Sequence, residues 1–332
     1  GISALKLFVN GVPIRSNYVP DRSTTGIVTQ KFDARLLRGK NEIRAVAYNR
    51  RRVASYPASR RVFFEGPQPT GKLWILAAGL EDYENPSLNL NWCVNDILES
   101  TSSLTERGSD LFEDQDTRAL LNQEATRSAI EKEFSQLAEK IHPEDTFVFL
   151  YAGHGMVDAA GDFYLVTYDV SAIDGNASPA DDRALPGSVL LDLLNGIKAR
   201  KRVLLFDACH SGALASDFRE SGNAAPEVAI AHLSRGSGTA ILASSQGDQL
   251  SRASQKLRHG YFTWTFLEGL REGAAEGGSR DGRITILELA AYISSRLPVL
   301  TAGSDPQKPK PPQYSKTYIS PWIEDFPLGR SP

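Results

Sequence analysis

Two apolar runs in the middle of the chain end in small polar residues, and they organise the prediction of its fold. Residues 203–206 are Val, Leu, Leu and Phe, and Cys209 follows three residues later. Residues 146–151 form a second, mainly apolar run, and His154 follows it at the same spacing. Short apolar runs of this kind are typical of parallel strands that are buried on both faces. Because functional sites of open α/β sheets lie beyond the carboxyl ends of the strands, we predict that Cys209 and His154 share one site.

Apolar runs and helical periodicity alternate from residue 72 to residue 300. Beside the two runs above, strands are predicted at residues 72–79, 117–121, 161–168 and 238–243, and helices at residues 93–104, 126–141, 185–197, 261–271 and 285–297. Strands that alternate with helices indicate a mainly parallel α/β sheet with helices on both faces. Residues 305–313 contain four prolines, so the end of the chain is predicted to be extended.

The first 66 residues follow a different pattern, in which polar and apolar positions alternate. Residues 4–9 alternate, Asn10-Gly11 is a hairpin signal, and residues 42–48 and 59–64 are typical of further strands. We expect a small all-β sandwich of the immunoglobulin-like (Ig-like) kind. The predicted organisation is a basic β-sandwich module at 1–66, a linker at 67–71, an α/β domain at 72–300 and a Pro-rich extended tail at 301–332.

The overall composition is that of a globular protein, with 41% hydrophobic and 23% charged residues. No apolar stretch approaches the roughly 18 residues that a membrane span requires, and the first residues lack the features of a signal peptide. Only two cysteines are present, so a disulfide framework is not expected. These features predict a cytoplasmic protein that does not contact a membrane.

The charge is distributed unevenly along the chain. Residues 1–66 contain 13 Lys and Arg against 4 Asp and Glu, whereas the remainder contains 24 against 36. One interpretation is that the basic module binds an acidic partner or a nucleic acid. The other is a solvated basic face, or one that docks on the acidic domain. The second is favoured, and nucleic acid is not the expected partner, because aromatic and basic residues are not interleaved.

Cysteine and histidine together can carry out nucleophilic catalysis. The Cys209 thiolate would attack a carbonyl group, while the His154 imidazole would transfer the protons. The main-chain N–H groups of Gly155 and Cys209 are candidate donors to the developing oxyanion. The alternative is that Cys209 is a small hydrophobic core residue, and the matching ends of the two strands favour catalysis.

At these residues the sequence resembles a known family. Tyr151-Ala152-Gly153-His154-Gly155 and Asp207-Ala208-Cys209-His210-Ser211-Gly212 resemble the signature blocks of the caspase-like cysteine proteases (peptidase C14), specifically the metacaspases and their bacterial relatives. The resemblance covers about residues 72–300, and it includes His259-Gly260-Tyr261-Phe262-Thr263 at the start of a predicted helix. It implies a caspase-like three-layer α/β/α sandwich, with Cys209 as nucleophile and His154 as general acid and base. The sequence departs from the caspase pattern Gln-Ala-Cys, because Asp207 occupies the position of the Gln.

The position of Asp207 predicts substrate specificity. In an extended strand, Asp207 lies on the same side as Cys209, and the segment from Cys93 to Asp96 resembles the one that supplies a second acid to the primary (S1) pocket of metacaspases. Two carboxylates in a concave pocket attract Arg or Lys and reject Asp. Cleavage after Arg, with Lys as an alternative, is therefore predicted. By the same resemblance Cys93 and Ala152 also belong to this pocket, and Ala152 stands at a position where many relatives have a Ser.

The alternative for these acids is structural, with Asp96 capping a helix and Asp207 fixing a loop.

No cofactor is required for the predicted chemistry, but the resemblance suggests calcium as a regulator. Four acidic residues correspond in position to the calcium ligands of many metacaspases: Asp169, Asp181, Asp182 and Asp217. Carboxylate oxygens suit that ion, although a solvated acidic loop is the alternative.

Basic residues in two predicted loops suggest regulation by self-cleavage. Arg50-Arg51-Arg52 form one group, and Arg252, Lys256 and Arg258 form the other; ordinary surface charge is the alternative.

The expected partners are a protein substrate with a basic P1 residue and an upstream sensor or scaffold, and the chain is expected to be a monomer. Two other functions stay open: a caspase-fold pseudo-enzyme that regulates a partner by binding, and a thiol hydrolase or transferase that acts on small amides.

Overall fold

The computed structural model of the chain describes most of its residues. The described residues are 2–10, 12–14, 21–22, 27–34, 36, 39–49, 51, 53–66, 71–158, 162–172, 182–210, 230–231, 233–234, 237, 239–244, 252–277, 280–302, 311–319 and 325–332. The chain divides into two compact units. One comprises residues 1–69 and 320–324, and the other comprises residues 70–319 and 325–332.

The described part of the first unit is all-β. Its strands are β1 (Ile2–Val9), β2 (Val12–Ile14), β3 (Asp21–Arg22), β4 (Val28–Thr29), β5 (Gly39–Asn49) and β6 (Ala58–Phe64). An antiparallel sheet has the order β2-β1-β5-β6, and β3 pairs with β4. Val9 pairs with Val12, and Asn10 has a φ of 51°, which confirms the predicted hairpin. One sheet and a two-stranded ribbon are thus established, whereas the packing of an immunoglobulin-like sandwich is not.

The second unit alternates strands and helices. Its elements are β7 (Leu73–Gly79), α1 (Cys93–Gly108), β8 (Gln115–Leu121), α2 (Arg127–Lys140), β9 (Thr146–Val157), β10 (Phe163–Leu165), β11 (Leu185–Pro186), α3 (Gly187–Gly196), β12 (Lys201–His210), β13 (Ala240–Ala243), β14 (Ala253–Ser254), β15 (His259–Gly260), α4 (Tyr261–Arg271), β16 (Arg283–Thr285), α5 (Ile286–Thr301), β17 (Lys316–Tyr318) and β18 (Pro327–Arg330). Within the described ranges, every helix is too short or too polar to cross a bilayer.

Eight of the described strands form the central sheet, which is mixed but mostly parallel. The neighbours β8-β7-β9-β12-β13 are all parallel. Three strands are antiparallel to their neighbours: β10 on the end of β9, β11 on β10, and β17 on β13. The predicted parallel core is therefore confirmed. The strand predicted at 161–168 is the antiparallel β10, whereas β11 and β17 are additions that the apolar pattern did not indicate.

Helices pack on both faces of this sheet because its strands are apolar in both directions. Residues from β7, β9 and β12 form one core with α2 and α3: Trp74, Leu76, Phe147, Phe149, Leu204 and Phe206 with Ile130, Phe134, Leu137, Leu190 and Leu194. On the opposite face, Leu150 and Leu205 lie beside Ile97 of α1 and Phe262 of α4. The site described below lies on this second face.

Several predicted elements have different limits in the structure. The strand predicted at 146–151 continues to Val157, because β12 pairs with it as far as Gly155 and β10 pairs with its last residues. The helix predicted from residue 185 begins at Gly187, because Leu185 and Pro186 pair with β10. The segment predicted as a tail supplies β17 and β18, which pair with β13 and β16. Local sequence does not indicate these limits, because pairing between strands sets them, and most of the partner strands are distant in the chain.

Candidate active site

The register between β9 and β12 brings the two candidate catalytic residues together. In this parallel pair, Cys209 is the partner of His154 and Asp207 is the partner of Ala152. Neighbouring strands of a sheet lie about 4.8 Å apart. Two residues that are 55 positions apart in the chain are thus adjacent in the sheet.

The His154 imidazole is held by the main chain of another segment. Its Nε2 lies 2.8 Å from the carbonyl oxygen of Leu88, and its ring packs against the Tyr83 ring at a centroid distance of 5.4 Å. Since a carbonyl oxygen can only accept, Nε2 carries the hydrogen. Nδ1 is buried and has no hydrogen-bond partner among the described residues. The nitrogen with the free lone pair is therefore Nδ1, which is suited to accept a proton.

Burial also keeps this imidazole neutral. His154 is 8% exposed, and desolvation lowers its pKa below the usual 6.5, with the Leu88 carbonyl acting in the opposite direction. A charged imidazole in an apolar environment loses hydration energy that the single hydrogen bond does not restore. At neutral pH, His154 is therefore in the form required of a general base.

Two buried tyrosines fix the backbone at His154. The hydroxyl of Tyr83 accepts a hydrogen bond from the main-chain N–H of His154 at 3.0 Å. The hydroxyl of Tyr151 lies 2.7 Å from the His154 carbonyl oxygen and 2.8 Å from that of Val166. A Cβ on Gly153 would come within 2.8 Å of the Tyr151 hydroxyl and 2.9 Å of the Tyr83 hydroxyl. A larger residue at 153 would displace these phenols, so the glycine is required by close packing.

The candidate oxyanion residue Gly155 lies where three strands meet. It pairs with His210 of β12 and with Leu165 of β10. A Cβ at this position would come within 3.2 Å of the Ala208 Cβ, which is closer than ordinary van der Waals contact. The small residue allows β9 and β12 to continue side by side to the end of their pairing.

Three of the four predicted specificity residues line one cavity. Asp96, Ala152 and Asp207 surround it, together with Ile97, Leu150, Tyr151, Leu205, Phe262, Thr263 and Phe266. Its volume is about 10 Å³, which is room for about one water molecule. The fourth residue, Cys93, is buried in the first turn of α1 and does not line the cavity.

Both carboxylates are held by the start of α4 and the strand before it. One oxygen of Asp207 accepts from the hydroxyl of Thr263 at 2.7 Å and from its main-chain N–H at 3.2 Å. Asp96 Oδ1 lies 2.7 Å from His259 Nδ1, and the Gly260 N–H lies 3.1 and 3.3 Å from the two Asp96 oxygens. A Cβ on Gly260 would overlap Asp207 Oδ2 and come within 3.1 Å of Asp96 Oδ2. The two acids thus converge on one glycine.

The environment of Asp96 makes its charge sensitive to pH. Burial raises its pKa to about 7, the hydrogen bond from His259 acts in the opposite direction, and the nearby Asp207 carboxylate raises it further. Two neighbouring carboxylates in a nearly dry space repel each other, so one of them readily takes up a proton. A bound cation would relieve that repulsion, which is the electrostatic property expected of a pocket for Arg or Lys.

The four candidate calcium ligands are not assembled in the described part of the chain. Asp169 Oδ1 accepts from the hydroxyl of Thr167 at 3.0 Å, and Asp182 is exposed. Asp181 and Asp217 lie outside the described residues. No group of three or more His, Cys, Asp and Glu side chains that could hold a metal occurs among the residues that are described. The calcium prediction rests on sequence alone.

The candidate self-cleavage residues have different surroundings. Arg252 donates to the carbonyl oxygens of Thr301 and Pro311 at 2.9 and 3.0 Å, so its guanidinium has a structural role. Lys256 is exposed in the turn between β14 and β15. Arg258 lies over the Trp92 ring, 5.1 Å from its centroid. Arg51 is exposed, whereas Arg50 and Arg52 lie outside the described residues.

Sequence reasoning missed four residues that contact the candidate site residues. They are Tyr83, Leu88, His259 and Thr263. Residues 259–263 resembled a family motif, which was the available signal for His259 and Thr263. Leu88 acts through its carbonyl group, and such a role leaves no trace in the type of residue.

Comparisons with known proteins agree with this architecture. The crystal structure of protein GSU0716 from Geobacter sulfurreducens has a TM-score of 0.50 and 20% identity over 79% of this chain and 98% of that chain, which supports the fold. The Metacaspase-1 proteins of Meyerozyma guilliermondii and Debaryomyces hansenii are 29% and 27% identical over 155 and 164 residues. These matches cover 43% and 45% of this chain but only 36% and 35% of the relatives.

The family model of the C14 peptidases, described as the caspase domain, matches residues 73–319. That range includes β9 and β12 with His154 and Cys209, the cavity between α1 and α4, and β17. The resemblance noted in the sequence is thereby confirmed. The chain belongs to the caspase-domain family of cysteine peptidases.

Proposed function

We propose that the chain is a cysteine endopeptidase that cleaves protein substrates after Arg, or alternatively Lys, with Cys209 as nucleophile and His154 as general base. One observation carries the proposal. Cys209 is paired in register with His154, whose buried Nδ1 has no partner among the described residues. Membership of the caspase-domain family supports the same chemistry.

The proposed reaction has two steps. His154 Nδ1 accepts the thiol proton, the sulfur attacks the scissile carbonyl carbon, and the carbonyl electron pair moves to oxygen, where the N–H groups of Cys209 and Gly155 stabilise it. The imidazolium then gives its proton to the amide nitrogen as the C–N bond breaks. In the second step His154 deprotonates water, which attacks the thioester and releases a carboxylate and the free thiol.

Specificity for a basic P1 residue is supported by the charges around the cavity. Asp96 and Asp207 both line it, and their mutual repulsion would be relieved by a guanidinium or ammonium group. Because the cavity holds about one water molecule, it must widen to admit a P1 side chain. We propose that Ala152 completes this S1 pocket, with the missing hydroxyl at 152 weakening the discrimination between Arg and Lys.

The test uses peptides that differ only at P1, with Arg, Lys, norleucine or Asp. We expect efficient cleavage after Arg and Lys, little after the other two, and a loss on the order of 10³-fold or more in kcat for Cys209→Ala and His154→Ala. Cleavage after Asp with Arg ignored would refute the pocket assignment. Selective peptide binding without cleavage would instead support a pseudo-enzyme, and cleavage of small amides alone would support a thiol hydrolase or transferase.

We propose calcium as a regulator rather than a participant in the chemistry, bound by Asp169, Asp181, Asp182 and Asp217. The proposal is supported by the family resemblance and by the oxygen-donor character of these residues. Assays of the same Arg peptide with added calcium and with a chelator test it. Equal activity with added calcium and with the chelator would show that calcium does not regulate the protein.

We propose that activity is regulated by self-cleavage or by an upstream sensor or scaffold, and that the protein is a cytoplasmic monomer. Arg51, Lys256 and Arg258 are the candidate cleavage positions that are exposed among the described residues. Identical intact masses for the wild type and Cys209→Ala after incubation would rule out self-cleavage.

The antiparallel sheet of the first unit supports an immunoglobulin-like module there, and the low cysteine content supports a reducing compartment.

A further inference from the structure

A second histidine contacts a residue that lines the specificity cavity but does not line the cavity itself. His259 is the first residue of β15, and its Nδ1 lies 2.7 Å from Asp96 Oδ1. The side chains of His259 and Asp96 are only 4% and 5% exposed. A hydrogen bond between a buried imidazole and a buried carboxylate orients both groups strongly, because neither can exchange its partner for water.

The other sides of the imidazole are also occupied. Its Nε2 lies 3.3 Å from Asn95 Nδ2 and 3.8 Å from Glu99 Oε1. Its ring packs on the Trp264 ring at a centroid distance of 5.7 Å. These contacts come from α1 on one side and α4 on the other, so the ring has one orientation, with Nδ1 directed at Asp96.

Within the described part of the chain, the hydrogen bonds to the Asp96 carboxylate come from β15. His259 Nδ1 meets Oδ1, and the Gly260 N–H lies within 3.3 Å of both carboxylate oxygens. An ionised carboxylate offers about four acceptor sites. The same acid lines the cavity. The carboxylate is thus held by β15 at the wall of the cavity.

We infer that His259 is a positioning residue for substrate specificity: it holds the Asp96 carboxylate in the orientation that receives the basic P1 side chain. The inference rests on the proposed function, because it assigns the supporting residue of the same S1 pocket. His259 does not contact the substrate in this account. A merely structural role would change stability alone, whereas a positioning role changes the preference among P1 residues.

The test compares two substitutions at 259 with a control in the same hairpin. In His259→Asn, the amide nitrogen can occupy the place of Nδ1 and keep the hydrogen bond to Asp96. In His259→Leu, the shape is roughly kept and the donor is lost. Gln255→Ala alters an exposed residue of the adjoining turn and serves as the control. The measurements are kcat and KM for peptides with Arg and norleucine at P1, together with thermal melting of each variant.

The inference predicts that loss of the His259 donor weakens the use of the Arg peptide selectively. His259→Leu should raise KM for the Arg peptide on the order of 10- to 100-fold, leave kcat within a few-fold, and leave the norleucine peptide unchanged. His259→Asn should recover most of the preference for Arg, and Gln255→Ala should match the wild type. If His259→Leu does not melt cooperatively, His259→Gln replaces it, since its amide reaches the Nε2 position and should also lose the preference.

Other results would overturn the inference. If a folded His259→Leu or His259→Gln keeps the wild-type ratio of Arg to norleucine cleavage, the positioning role is wrong while the proposed protease stands. An equal loss on both peptides also overturns it, because it indicates a general structural effect. A wild-type chain that cleaves none of the peptides removes the proposed function, and the positioning role with it.

Discussion

His154 Nε2 lies 2.8 Å from the carbonyl oxygen of Leu88, so a main-chain group orients the imidazole. In many hydrolases a carboxylate occupies this place and stabilises the imidazolium. A neutral carbonyl gives orientation with less stabilisation of positive charge. This agrees with the lowered pKa of His154, and it makes the turn that carries Leu88 part of the candidate site.

The first prediction concerns that turn. Leu88 ends a turn of 3₁₀-helix, Pro86–Leu88, which Asn85 caps by accepting from the Ser87 N–H at 3.0 Å, and Asn85 also donates to the Ser171 carbonyl at 2.8 Å. Asn85→Ala should cost about 1 kcal/mol of stability and lower kcat several-fold, because the carbonyl loses its fixed position. Steady-state kinetics and denaturant unfolding measure the two effects.

The matched control for Asn85→Ala is Thr126→Ala, which removes the cap at the start of α2. It should cost a similar free energy of unfolding and leave kcat unchanged, since α2 packs on the opposite face of the sheet from the cavity. Equal losses of kcat in both variants would mean that the effect reflects general stability and not the Leu88 carbonyl.

The second prediction is the pH dependence of the chemical step. Burial lowers the pKa of His154 below 6.5, so the imidazole stays neutral to a lower pH than a free histidine. As pH falls through this lowered pKa, the base is lost and activity declines. The norleucine peptide does not use the acidic pocket. Its kcat/KM should decline on the acid side with a midpoint below pH 6.5. A midpoint at or above 6.5 would contradict the role of burial.

The third prediction is the pH dependence of specificity. Asp96 has a pKa raised to about 7, so it takes up a proton as pH falls through 7, and the attraction for a basic P1 residue weakens. The ratio of kcat/KM for the Arg and norleucine peptides should therefore fall as pH drops from 8 to 6. This ratio cancels the ionisation of the Cys209–His154 pair, which acts on both peptides.

Asp96→Asn is the control for that measurement. It should reduce the ratio at pH 8 and abolish its change with pH, because the amide does not titrate. A ratio that still falls below pH 7 in this variant would assign the titration to another group that faces the cavity.

The fourth prediction concerns Gly260, on which the two acids converge. A Cβ there would overlap Asp207 Oδ2, and that atom is held by Thr263. Gly260→Ala should lower the preference for Arg at least about tenfold and cost about 1–3 kcal/mol of stability by overpacking. Gly196→Ala places its Cβ in ordinary contact with Ala138, at 3.8 Å, and should change neither quantity. An unchanged preference in Gly260→Ala would show that the acids are not held in place there.

Much of the second unit could be predicted from local pattern. The runs before Cys209 and His154 are strands because they are long enough and apolar enough to be buried on both faces. Thr126, where a helix is predicted to begin, caps that helix by accepting from the Ala129 N–H. Because Asp207 lies two residues before Cys209 in a strand, the sequence predicted that this acid lies on the same side of the sheet as the cysteine. Each of these inferences needed only neighbours in the chain.

The remaining features depend on contacts between distant segments. His259 meets Asp96 across 163 residues, and His154 meets the Leu88 carbonyl across 66. In the sequence, His259 lacked a visible partner, and Leu88 was an ordinary apolar residue. The limits of β9 and the strands β17 and β18 likewise depend on partners that lie elsewhere in the chain.

The sequence alone therefore determined which strands are buried, which residues could react, and the family of the chain. The tertiary structure decided which nitrogen of His154 is free, how Asp96 is held, and how small the cavity is. The physical reason is that hydrophobic periodicity is a local property, whereas hydrogen bonding and desolvation depend on the groups that the fold brings within a few ångströms.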